Sequence, residues 1–254
     1  SRWANVVAMA VMGFLPALCR STRSNSSSLA QATPLGQAWV GALVHRESAG
    51  TGSVWRPEFT VPRLTWMDLR TWLTGDLQSL RRRLDRSVLS VIPASRMAER
   101  VDGGGIAPVY VLWHTARHHD LAVNGVLRGT DEVLTEWGDR VGVAADTWRG
   151  LAEAEDLDLV EQLDPEAVGG YLQAVIGHTL DWVADSDLDL LDVVADGTAA
   201  LSRIGTPEDR FDWLYSMWDA QPGCFFLSWE AIGHGLGHLG ELTSIRNRMG
   251  LSPF

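Results

Sequence analysis

His234 and His238 stand four residues apart in Gly233-His234-Gly235-Leu236-Gly237-His238. On a helix that spacing sends both imidazoles off one face, with about 6 Å between their Cβ atoms, and two such rings can chelate one metal ion. Without an ion, a buried pair has to be hydrogen-bonded into the core instead. The zinc-protease form is excluded, because Gly235 sits where His-Glu-x-x-His carries its catalytic Glu. Each glycine opposes helix formation by about 1 kcal/mol relative to Ala, so three of them around the pair imply close packing or close approach. A second cluster, His114, His118 and His119, can supply a third ligand from another helix. Three protein ligands with open positions make the catalytic kind of metal site rather than the closed structural kind.

His118 lies one turn from His114 and has three readings: alternative ligand, general base, or polar rim residue. His119 falls on a different face and is expected to be packed or solvated. Asp120, Glu230 and Glu241 are the acids nearest these histidines, and metal-bound imidazoles commonly donate their other N–H to a carboxylate. Glu230, four residues before His234, is the first candidate for that role; plain solvation competes for Asp120 and Glu241. His118 and Glu241 are also the candidate bases for a metal-activated water. His45 and His178 have no partner in sequence.

The elements that must position these residues are helices. Thr65-Trp66-Met67-Asp68 reads as a cap with an acid three residues on. Leu69, Leu73, Leu77, Leu80, Leu84, Val88 and Val91 then form one apolar stripe, stopped by Pro93. Arg81, Arg82, Arg83 and Arg86 are its solvated face. A second helix runs from Pro108 to Arg128 with Gly129 as its stop, and carries the cluster of three histidines. A third begins at Asp164-Pro165-Glu166 and continues through Trp182, and a fourth runs from about Phe225 to Met249, closed by Gly250. The connections between helices two and three and between three and four are too long for simple turns, and short helices such as Arg210–Trp218 are expected in them. No strand-like alternation appears, so the fold class is all-α. Trp113 and Trp229 flank the histidines and can wall an apolar pocket, while Trp66, Trp72, Trp182, Trp213 and Trp218 read as core filler.

Composition narrows the chemistry further. The 254 residues, 46% of them apolar, suffice for one sizeable core. All 21 basic residues are Arg, which excludes a lysine Schiff base and a Walker-type phosphate loop. The net charge is −11, and thirteen acids with no Arg lie between Glu153 and Asp196, so nucleic acid is not an expected partner. Cys19 and Cys224 cannot build a disulfide framework or a cysteine-rich zinc site; Cys224 reads as an ordinary buried thiol, and the compartment as reducing and cytoplasmic. Residues 1–60 differ from the rest. Their apolar run Val6–Leu18 is too short to span a bilayer, and it lies far from the cleavage-like Ala30-Gln31-Ala32. A poorly structured N-terminal extension is expected there, with no membrane partner.

Val111-Leu112-Trp113-His114-Thr115-Ala116 on the second helix, with His234-x-x-x-His238-Leu239-Gly240-Glu241 and Arg246-x-x-Met249-Gly250 on the fourth, resembles the DinB superfamily of four-helix bundles. The resemblance covers roughly residues 64–252. It implies a DinB-like four-helix bundle whose metal ligands are His114, His234 and His238. Members include bacillithiol-dependent S-transferases and the metal-binding domain of mycothiol-dependent maleylpyruvate isomerase. By that resemblance the chain is a thiol-dependent S-transferase or isomerase, acting on a small-molecule substrate with mycothiol or bacillithiol as cosubstrate, and pairing as a homodimer. The ion is divalent: zinc first, with nickel, iron or copper accepting the same ligands. One departure is plain. Where the family has His-Arg-Gly-Gln, this chain has His238-Leu239-Gly240-Glu241, so a cation is lost and an amide has become a carboxylate. The alternatives are a metal-dependent hydrolase and a non-catalytic, metal-stabilised bundle that binds a small ligand or partner.

Overall fold

Asp68 opens the first helix, its side chain accepting from the Thr71 amide at 2.7 Å; the acid expected inside the first turn is itself the cap. A computed structural model describes residues 68–101, 104–143 and 146–253. The expectations for residues 1–60, Thr65 and Trp66 lie outside the described residues. Helix α1, Leu69–Leu84, runs on as a π-helical turn, Asp85–Leu89, and ends before Pro93. Leu73, Leu77, Leu80, Leu84 and Val88 are buried as one stripe, whereas Leu69, on the first turn, is 49% exposed. Helix α2, Pro108–Asp120, starts on its proline and continues as a π stretch, Leu121–Arg128, to the left-handed Gly129.

Helix α3, Leu134–Val141, sits in the connection that follows, and α4, Pro165–Asp185, is capped by Asp164. The next connection holds α5, Gly197–Arg203, and α6, Glu208–Trp218, the latter one residue or two from the expected short helix. A π stretch, Phe226–Gly233, then runs straight into α7, His234–Arg248. Helix α2 packs on α4 and α7, and α1 packs on the same two. The chain is predominantly helical; among the described residues there is one isolated bridge, Val194 to Pro222, and no strand. No described helix is long and apolar enough to cross a membrane.

Every residue of α2 is buried. A helix buried all round is usually apolar all round, yet this one carries His114, Thr115, Arg117, His118, His119 and Asp120 in its last two turns. Buried polar groups need partners, and the C-terminal half of the set finds most of them in a network with α3 and α4, with Arg117 Nε and Nη2 and His119 Nδ1 left over. Asp120 accepts from the amides of Val133 and Leu134 at 3.0 and 2.9 Å, from Asn124 Nδ2 at 2.7 Å and from the Tyr171 hydroxyl at 2.7 Å. It therefore anchors the start of α3, and its expected solvation is corrected: the carboxylate is fully buried and serves this network rather than the imidazoles that turn toward α7. Arg117 pairs with Glu132 and donates to the Tyr171 oxygen at 3.3 Å. Burial disfavours its charge, but Glu132, Tyr171 and Asp120 more than offset this and push its pKa up.

Removing one member of a buried charged network costs about 3–5 kcal/mol, because the others are left unpaired. Asp120→Ala is predicted to lower unfolding stability by that amount in urea denaturation. A loss under about 1 kcal/mol would show that the network is not what holds α3 to α2.

Candidate metal centre

The N-terminal half of the polar run turns toward α7. His114 lies with its ring centroid 5.1 Å from that of His234 and 5.0 Å from that of His238, and the last two are 4.4 Å apart. One nitrogen from each ring falls within 4.8 Å of the others. His114 is buried, His234 and His238 partly so.

Hydrogen bonds decide which nitrogen each ring offers. A carbonyl oxygen only accepts, so His114 Nδ1, 3.1 Å from the Gly150 carbonyl, carries the proton and leaves Nε2 as the lone pair. His238 Nδ1 lies 2.8 Å from Glu241 Oε2, which likewise frees its Nε2. That atom faces His234 Nε2 at 2.9 Å. Either the His234 Nε2–H donates to His238 Nε2 or a metal ion lies between the two nitrogens. The separation is close to the roughly 3.3 Å edge of a tetrahedron with bonds of 2.0–2.1 Å. Burial, and then the neighbouring imidazoles His118 and His238, push the pKa values of His114 and His234 well below the ordinary histidine range. The rings are thereby kept neutral, the form that binds metal. The residues fit a divalent ion held by three imidazoles.

Local sequence explains the placement. Gly150 has φ +78°, and a Cβ there would stand 2.4 Å from Trp113 Nε1, so only glycine presents this carbonyl to His114. The Trp113 indole donates to the next carbonyl back, that of Arg149, at 2.9 Å and pins the same loop. Tyr110 stacks parallel on His114 at 6.3 Å. Its hydroxyl is held by the Ala152 and Ala154 carbonyls at 2.8 and 2.7 Å and is raised to about 12 by burial and by Asp156 and Glu155, so it orients the ring and is no acid. At Gly235 a Cβ would meet Leu80 at 2.7 Å, the close helix approach that the glycines imply, while Gly237 faces open space.

His118 does not join the three. Its Nε2 lies 2.9 Å from the Leu151 carbonyl and its Nδ1 3.2 Å from Glu230 Oε2, so neither nitrogen is free to act as a base. Glu230 also accepts from Trp218 Nε1 at 2.8 Å. It is at the site, but it holds His118 rather than His234. Across the π stretch residues four apart no longer stack directly, and His234 Nδ1 is left buried without a hydrogen-bond partner. His119 is packed, with Nε2 2.8 Å from Thr179 Oγ1, and burial lowers its pKa to about 3.

A cavity of about 270 Å³ opens on His114 and His238, lined also by Ile106, Tyr110, Val111, Glu153 and Glu241. The expected Trp113 and Trp229 are not among its walls; Trp113 is core. A larger cavity, about 510 Å³, lies between Leu89–Met97 and Pro165–Gln173, away from the imidazoles, and Glu166 is its one acid among the described residues. Trp218 is core as expected, fully buried, and its indole also donates to Glu230; Trp213, read as filler, is 38% exposed with its ring 6.0 Å from that of His118. Trp72 is 42% exposed and fills no core. Cys224 is half-buried, and the Ser228 hydroxyl donates to its carbonyl at 2.7 Å.

No protein-family model matches the chain, and no curated protein matches it. Among solved structures it is similar to a conserved protein from Enterococcus faecalis at 17% identity and a TM-score of 0.51, over 72% of this chain and 99% of that one. At that identity the likeness shows a shared fold alone.

The neutral imidazoles make the metal-free protein acid-sensitive. Their folded pKa values lie below the unfolded value of about 6.5, so the unfolded chain binds more protons and stability falls as pH drops below 6.5. The slope is up to about 1.4 kcal/mol per pH unit for each ring that stays neutral in the fold. Denaturant unfolding of the chelator-treated protein between pH 7 and 5 checks this; a flat profile would show that His114, His119 and His234 are not held neutral.

Proposed function

We propose that the chain is a DinB-like four-helix bundle binding one divalent ion, zinc first, through Nε2 of His114, His234 and His238, and that this centre serves a thiol-dependent S-transferase or isomerase. The observation that carries the reading is the convergence of three imidazoles, with the tautomers of two fixed by Gly150 and Glu241, on a point beside a cavity. An ion with only three protein ligands keeps an open position, and when bound it lowers the pKa of a thiol and stabilises charge developing next to it.

The remaining work falls to the chain's own residues. Ile106, Tyr110 and Val111 give the cavity an apolar wall that positions an electrophile against the imidazole cluster. Glu241 keeps the His238 proton on Nδ1. Glu153 and Glu241 are the charged groups of the lining and no Arg is present there, which favours an uncharged or cationic substrate over a carboxylate. That fits the departure seen in the sequence, where Leu239 replaces the family's cation. Glu241 is also the residue placed to accept a proton from a nucleophile in the cavity, a role that His118 cannot take with both nitrogens engaged.

Consumption of a low-molecular-weight thiol with an electrophile such as monochlorobimane, across a panel of thiols, is predicted to require metal. It is expected to fall at least about 100-fold in His238→Ala, more than the roughly 10–100-fold typical of losing a supporting residue. Chelation should give the same loss and added zinc should restore the wild type. Turnover indifferent to chelation would contradict the proposal. An ion bound with no thiol turnover would favour a non-catalytic bundle.

A further inference from the structure

Beside the three-imidazole centre lies a second set of donors that has only His234 in common with the first. His118, Glu230 and His234 each place one ligand atom within 4.8 Å of the others. The Leu151 carbonyl can only accept, so His118 Nε2 carries a proton, while its Nδ1 stands 3.2 Å from Glu230 Oε2, a separation that a proton or a metal ion has to bridge. An imidazole held at one nitrogen by a backbone carbonyl is how metal-ligating histidines are usually supported. Glu230 is buried at 1% exposure. It has Trp218 as a neutral donor and, among the described residues, no Arg. A buried carboxylate 3.2 Å from a ring nitrogen needs a cation, imidazolium or metal, to offset its burial. His234 Nδ1 is buried with no hydrogen-bond partner.

We propose that this set binds a second divalent cation, on His118 Nδ1, Glu230 and His234, with His234 shared between two adjacent ions. The donor set, two imidazoles and one carboxylate, suits zinc, iron(II) or manganese(II). When both positions are filled, the shared ring uses both nitrogens and gives up its N–H proton to solvent. The proposal depends on the three-imidazole reading only through His234.

The test is metal content by plasma emission after loading with excess zinc and gel filtration, on wild type, Glu230→Gln, His118→Ala and His114→Ala. Glu230→Gln is the informative variant. Its amide oxygen can still accept from Trp218 and its NH2 can donate to His118 Nδ1, so both hydrogen bonds survive while the anionic ligand is lost; a melting temperature within a few degrees of wild type verifies the fold. Two ions per chain in the wild type, falling to one in each single variant, is the expected result. Copper(II) loading should give an exchange-coupled electron paramagnetic resonance spectrum in the wild type and an uncoupled one in Glu230→Gln. One ion in the wild type, retained by Glu230→Gln and lost by His114→Ala, would overturn the second site and leave the first standing. One ion lost with Glu230→Gln but kept by His114→Ala would keep the second set, overturn the sharing of His234 and refute the three-imidazole centre.

Discussion

The structure depends on one constraint: a helix that is dry on every side carries six polar or charged side chains. Unpartnered, each would cost about 1–3 kcal/mol, and the charged ones more. The rest of the chain is arranged to prevent this. Helix α4 brings Tyr171 and Thr179, the start of α3 brings two amides, the connection before α4 brings the carbonyls of Gly150 and Leu151, and the segment around α7 brings Glu230, His234 and His238. Helices α1, α4 and α7 can then close over apolar faces in the ordinary way, as the buried stripe of α1 does.

The partners divide the polar run by chemistry. Around Arg117 and Asp120 opposite charges neutralise each other, although Arg117 Nε and Nη2 and His119 Nδ1 are left without hydrogen-bond partners. Around His114 and His118 two ring nitrogens face each other at 2.9 Å and a third faces a carboxylate at 3.2 Å, so a proton or a metal ion has to lie in each gap. Such a cluster is frustrated as a core and satisfied as a ligand set. This contrast between the two ends of one helix is the physical ground for assigning binding to one end and stability to the other.

Much of this was readable in the sequence, because helix periodicity, N1 prolines and caps are local. The bounds of α2 and α4, the closing glycines and a helix near Arg210–Trp218 all follow from such signals. The histidines stood out because their spacing on a helix is geometric. What escaped was non-local. Backbone carbonyls carry no residue signature, so nothing in the sequence marks Gly150 and Leu151 as the groups that set the tautomers of His114 and His118; Gly150 between Arg149 and Leu151 was the one available hint. Trp218 is core as read, but that its indole meets Glu230, and that Trp213 lies beside His118 rather than in the core, is decided only by the fold. Solvation competed for Asp120 because nothing local marks a buried carboxylate; the amides of Val133 and Leu134 and the Tyr171 hydroxyl that hold it are brought by the fold. The π stretches at Asp85–Leu89, Leu121–Arg128 and Phe226–Gly233 have no clear sequence mark, and the last of them turned Glu230 from His234 toward His118.

Central to the account is that imidazole nitrogens, rather than carboxylates or water alone, form the inner sphere of the ion beside the cavity. X-ray absorption at the zinc edge on the His118→Ala, Glu230→Gln double variant, loaded with one equivalent of zinc, tests this most directly. Three nitrogen scatterers at about 2.0–2.1 Å with the outer-shell pattern of imidazole rings are predicted. An inner sphere of oxygen with no ring scattering would contradict the account.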